Sequence, residues 1–128
     1  MVAHVVNNIG RYGAGFSKAV LKKWPHVYQR FGHMDLGEVA FRIGVDNPRR
    51  NRLVVAHMCA QDGVGTDRRR IVYHALEDCL RVVKVYAEVQ NCTVHMPRIG
   101  CGLAGGDWAE VERIINAVGL DCTIYDLA

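Results

Sequence analysis

Two glycine clusters stand in the same context, and that repetition constrains the fold more than any other feature of the chain. NNIGRYGAGF, residues 7–16, follows the apolar, β-branched run VAHVV, and PRIGCGLAGG, residues 97–106, follows a second apolar run from Cys92 to Met96. Residues with helical spacing come next in both cases. VAHVV, apolar and β-branched but for one histidine, reads as a strand buried on both faces, which calls for a sheet covered by helices. A glycine-rich strand-to-helix turn leaves backbone N–H groups unshielded at the positive end of a helix, where an anion is held without a cation. Two such loops are expected to face one another across the carboxyl ends of parallel strands, the crevice in which open α/β sheets take ligands.

The rest of the chain fits that plan. Phe16, Ala19, Val20, Lys23 and Trp24 are spaced as a helix up to Pro25, which starts a second helical piece through Phe31, ended by Gly32. Glu38 to Val45 and Leu53 to Cys59 read as antiparallel strands joined by the polar DNPRRNR. After QDGVGTDRRR, the positions Val72, Leu76, Cys79, Val83 and Tyr86 share one face of a helix ending near Gln90. Cys92 to Met96 is a strand. Asp107 is an N-cap with Glu110 at capping-box spacing, and the helix it starts turns Trp108, Val111, Ile115 and Val118 inward before Gly119. Asp121 to Leu127 is the last strand. Strands alternating with helices around a central hairpin predict an α/β sandwich on a mixed sheet, one domain over residues 1–128.

Composition removes several function classes. No apolar run reaches the ~18 residues of a membrane span, and MVAHVVNN lacks the features of a secretory signal, so a cytoplasmic protein with no membrane partner is expected. Five cysteines without a C-x-x-C pair indicate neither a disulfide framework nor a metal site. Cys59, Cys79, Cys92 and Cys122 read as small core residues, whereas Cys101 sits in the second glycine loop. The arginine clusters Arg49, Arg50, Arg52 and Arg68 to Arg70 fall between elements and read as solvated loops, so nucleic acid is not indicated except as a carrier of a modified substrate.

Neither loop is a Walker loop, which would need G-x-x-x-x-G-K-[ST]. Gly100, Gly102 and Gly105 spell G-x-G-x-x-G, but that fingerprint belongs in a first βαβ unit, and here one helix and one strand follow it.

His4-Val5-Val6-Asn7 with Gly13-Ala14-Gly15-Phe16, and Pro97 to Gly105, resemble the paired loops of the macro domains, which bind ADP-ribose. The likeness covers nearly the whole chain. MPRIGCGL and the Ala-His and Gly-Ala-Gly stretches are most similar to the branch of the terminal ADP-ribose protein glycohydrolase. The resemblance implies a three-layer α/β/α sandwich around a mixed sheet. Macro domains normally begin with a strand carrying a Gly-Asp motif, and this chain starts on the following strand, so that N-terminal strand is expected to be missing. The ligand would be held by Asn7, Asn8, Gly13, Ala14, Gly15 and Phe16 on one side. Ile99, Gly100, Cys101, Gly102, Leu103, Ala104 and Gly105 would hold it on the other, with no cofactor and no metal.

The branch works with a lysine after the central strand and an aspartate directly after Gly-Cys-Gly-Leu. Here Ala104 takes the second position and the first falls at Ala60 or Gln61, none of which serves as a nucleophile or strong base. The implied function is ADP-ribose binding with hydrolysis of ADP-ribosyl groups from modified protein carboxylates, without that lysine/aspartate pair. The alternatives are a non-catalytic ADP-ribose-binding module and an ADP-ribose 1″-phosphate phosphatase. Either way the partner is ADP-ribose or an ADP-ribosylated protein.

Hydrolysis needs a placed water and a proton acceptor. Polar candidates near the loop ends are His4, Asn7, Asn8, His57, Gln61, Asp62 and Cys101. His4 and Asn7 are the catalytic candidates. For His4, in an apolar strand, a satisfied core histidine, a base and a ligand-orienting group all remain open readings. Asn7, at the strand end, can hold ribose hydroxyls or a water but is no strong base. Asp62 reads as an Asx-turn residue that opens the QDG loop.

Overall fold

The computed structural model of the protein describes residues 1–12, 14–29, 32–47 and 52–126. Gly13, the expected helix end at Phe31, most of the DNPRRNR connection with Arg49 and Arg50, and the expected strand end at Leu127 lie outside the described residues. In chain order the elements are β1 (Val2–Asn7), α1 (Gly15–Lys23), a 3-10 turn (Pro25–Tyr28), β2 (Val39–Val45), β3 (Leu53–Gln61), α2 (Tyr73–Gln90), β4 (His95–Pro97), α3 (Trp108–Val118) and β5 (Thr123–Tyr125).

The strands form one five-stranded sheet in the order β2-β3-β1-β4-β5. β2 runs antiparallel to β3, as the two apolar runs flanking the polar connection predict, and the remaining pairs are parallel. The carboxyl ends of β1, β3 and β4 therefore open on one edge of the sheet. β3 is buried from Val54 to Ala60, so it packs helices on both faces. Ala3, Val54, Ala56 and Met58 join a core with Leu76, Leu80, Val83, Val111 and Ile115 of α2 and α3. Val55 points to the opposite face and meets Val20 of α1 with Val27 and Tyr28 of the 3-10 turn. This is the expected three-layer sandwich.

Several boundaries differ from the sequence reading, each for a local reason. The piece after Pro25 is a single 3-10 turn, because Gln29 is already extended (φ −61°, ψ 128°). Asn91 ends α2 in the left-handed region (φ 51°), and the Cys92 N–H donates back to Ala87 O at 3.1 Å, so β4 begins only at His95. β5 is confined to Thr123–Tyr125. With these strands so short, Cys92 and Cys122 are only half-buried, whereas Cys59 and Cys79 are core residues. Asp107 caps α3 by accepting from the Ala109 N–H at 3.0 Å, but the capping box does not close. Glu110 is taken by Arg113, and the Asp107 N–H donates instead to Tyr73 Oη at 3.0 Å. Among the described residues no helix is long and apolar enough to cross a membrane.

Candidate functional site

Where β1 and β4 end, the segments that follow them enclose a cleft of about 770 Å³. Ala14, Gly15 and Phe16 form one wall, and Ile99, Gly100, Cys101, Gly102, Leu103 and Ala104 form the other, with His4 and Asn7 at the base. The two glycine loops thus face each other across one space. Asn8 and Gly105 are turned away from it. The Asn8 carboxamide is used up inside the protein: Nδ2 donates to Asp62 Oδ1 at 3.1 Å and Oδ1 accepts from the Gly63 N–H at 2.9 Å. Asp62 also pairs with Arg68 at 3.5 Å, so it ties two loops together rather than closing a local turn. Gly105 makes the turn behind the cleft, with φ +73° and its N–H on Gly102 O at 3.1 Å.

The two walls offer N–H groups for different reasons. α1 begins at Gly15 with Ala14 as its N-cap, and no side chain caps its first turn and no acid lies in it. Its leading amides are therefore open to an anion. The amino end of α3 is closed by Asp107, so the second wall works through loop backbone instead. There the Gly106 N–H donates to Gly100 O at 2.7 Å, folding the loop back on itself. The N–H groups of Gly102, Leu103 and Ala104 meet no acceptor among the described residues.

This folding explains two of the glycines. A Cβ on Gly106 would lie 2.4 Å from Gly100 O, and one on Gly100 would lie 2.8 Å from Ile71 Cδ1. Gly106→Ala is expected to cost about 2 kcal/mol or more through this backbone overlap. A urea midpoint unchanged from that of the parent protein would contradict it.

Sequence reasoning missed a third wall. Val64, Gly65 and Thr66, between β3 and α2, also line the cleft. Arg70 organises that loop from beneath, donating from Nη1 to Asp62 O at 3.5 Å and from Nη2 to Asp67 Oδ1 at 2.5 Å. The signal was present in QDGVGTDRRR, a further glycine-bearing strand-to-helix connection, since β3 runs parallel to β1 and must end at the same edge.

At the base of the cleft, Asn7 braces its own loop. Its Oδ1 accepts from the N–H groups of Ile9 (3.1 Å) and Arg11 (3.0 Å), while Nδ2 donates to Arg11 O, leaving one Nδ2–H. The β1–β3 register skips Ala60, which faces the helix core, so Gln61 is the residue that reaches the cleft. His4 is 1% exposed; its Nε2 lies 2.6 Å from His57 Nδ1 and its Nδ1 lies 3.3 Å from Ser17 Oγ. Burial, and then His57, hold the His4 pKa well below the usual value. Burial first, then Arg42, lower that of His57 to about 4 against a favourable contact with the Val27 backbone. Both rings are neutral at neutral pH. Cys101 stays a thiol, since burial and then Asp107 raise its pKa, and its Sγ donates to Ile99 O at 3.3 Å.

The family model for the macro domain matches residues 3–115. The chain is similar to the ADP-ribose 1″-phosphate phosphatase of Candida albicans, with 27% identity over 91% of this chain and 80% of that protein. It is similar to a Bacteroides thetaiotaomicron protein of unknown function, with 37% identity over 98% of this chain and 86% of the other and a TM-score of 0.80. It is also similar to a macrodomain protein of Streptomyces coelicolor, with 34% identity over 99% of this chain and 87% of the other and a TM-score of 0.75.

Proposed function

This chain belongs to the macro domain family, and on that premise we propose that its cleft binds ADP-ribose and hydrolyses ADP-ribosyl groups from modified protein carboxylates. The observation that carries the reading is the convergence of two uncharged, side-chain-poor walls on one cleft. A pyrophosphate fits between them because its charge is met by amide dipoles whose positions are fixed before it arrives. Ala14, Gly15 and Phe16 with Ile99 to Ala104 clamp the pyrophosphate and the distal ribose. His4, in the middle of β1, and Asn7, at its end, serve the hydrolysis, His4 as the proton acceptor and Asn7 through its remaining Nδ2–H.

Calorimetry of ADP-ribose against ATP and NAD tests the binding. Heat with ADP-ribose alone supports the proposal, and no heat with it overturns the assignment of the cleft. Incubation with a glutamate-linked ADP-ribosylated protein tests the chemistry. Label that is unchanged over hours while ADP-ribose still binds makes the domain a non-catalytic binder, the outcome favoured by the residues Ala104 and Gln61 in place of the aspartate and lysine.

Asn7→Ala is expected to lower turnover by about 100-fold but affinity by no more than about 10-fold. Equal losses in kcat/KM and affinity would reduce Asn7 to a brace of the 8–11 loop. A second reading, removal of the terminal phosphate of ADP-ribose 1″-phosphate, is favoured by the likeness to the Candida albicans ADP-ribose 1″-phosphate phosphatase. Release of free phosphate from that compound decides for it.

A further inference from the structure

We infer that Ser17 is a nucleophile in this cleft, activated by His4, with His57 positioning the His4 ring. The inference rests on the proposed ester hydrolysis and names the group that attacks. Ser17 sits in the first turn of α1, lines the cleft and is only half-buried, whereas both histidines are fully buried beneath it.

The three side chains form one line because of the strand register. His4 and His57 are Cα partners in the parallel β1–β3 pair and share the face that α1 covers. Their rings meet at 2.6 Å, and the far nitrogen of His4 meets Ser17 Oγ at 3.3 Å. Attack by Ser17 requires one tautomer of each ring: with the His57 proton on Nε2, His57 Nδ1 accepts from His4 Nε2–H, and His4 Nδ1 accepts from the Ser17 hydroxyl. This is the logic of a serine, a base and a group that fixes the base's tautomer, recognised by geometry rather than by chain order. The positive end of α1 favours the negative charge that develops on Oγ.

In the first step Ser17 Oγ attacks the carbonyl carbon of the ester joining a protein carboxylate to the ribose, and its proton passes to His4 Nδ1. The bond from that carbon to the ribose oxygen breaks. The ribose oxygen takes the proton from His4 and ADP-ribose leaves. In the second step water attacks the acyl carbon, its proton goes to His4, and the acyl–Oγ bond breaks. Oγ recovers the proton and the free carboxylate departs. No further reactant is needed.

The test uses the intact protein and a glutamate-linked ADP-ribosylated protein in oxygen-18 water. The freed glutamate carboxylate is expected to carry the heavy oxygen, and Ser17→Ala is expected to lower turnover by at least about 100-fold with ADP-ribose affinity unchanged. An unlabelled carboxylate, or turnover kept by Ser17→Ala, overturns the inference while leaving the hydrolase reading in place. Failure of ADP-ribose to bind the parent protein overturns both. For His57, the Gln variant still accepts from His4 Nε2–H and is expected to keep most of kcat, whereas His57→Leu loses kcat at unchanged KM. Equal kcat in the two variants removes His57 from the positioning role.

Discussion

Gly102→Phe is expected to abolish ADP-ribose binding, with a loss of at least about 100-fold, or about 2.7 kcal/mol, while the fold is kept. Gly102 lines the cleft, and a Cβ built on it meets nothing within 4 Å. Its φ lies outside the left-handed region, unlike those of Gly100 and Gly105, so a side chain is compatible with the backbone. An aromatic ring there is expected to take up cleft space that the ligand needs. Stability is expected to change by no more than about 0.5 kcal/mol, the range of an exposed substitution. Gly106→Ala gives the contrast, because it damages the same loop through the fold. Calorimetry and a urea titration of both variants separate the two effects. Tight ADP-ribose binding by Gly102→Phe would show that the ligand lies elsewhere.

The second large effect is acid lability centred on the histidine pair. A histidine whose folded pKa is lowered binds its proton in the unfolded chain first, so stability is fully present above the unfolded value near 6.5 and is lost as pH falls toward the folded value. For His57, held at about 4, the loss across that window is about 3 kcal/mol, and His4 is shifted in the same direction. Asp67 and Glu110, whose carboxyls are held down by their hydrogen bonds to Arg70 and Arg113, also lose stability on acidification. Asp67 is exposed and Glu110 partly so, and both act below about pH 4.5, outside the histidine window. Urea midpoints measured between pH 7 and pH 4.5 are expected to fall steeply in the parent protein. The double variant His4→Gln, His57→Gln should flatten that slope. An equal slope in the variant would place the acid lability elsewhere.

Much of the fold is written in local order. The apolar runs that became β1 and β3, the inward stripe of α2, and the polar connection between antiparallel β2 and β3 are properties of short segments, and short segments are what periodicity reports. The glycine loops were legible for the same reason, since each lies in a few consecutive residues. The capping box shows where local order stops deciding. The capping box at Asp107 failed because Tyr73, distant in sequence, took the N–H that Glu110 would have accepted.

The cleft itself came from tertiary placement. VAHVV and VAHMC each carry one histidine, and each reads alone as a strand with an unexplained polar residue. Only the β1–β3 register sets the two rings side by side, and only the packing of α1 over that face sets Ser17 on their far edge. The same placement made Gly65 a wall of the cleft and left Asn8 holding Asp62 outside it. The sequence by itself determined which segments become strands, helices and bare turns, because those choices depend on neighbours within a few residues. Which polar groups meet was decided by the tertiary structure, because one residue of strand slip turns every side chain to the opposite face.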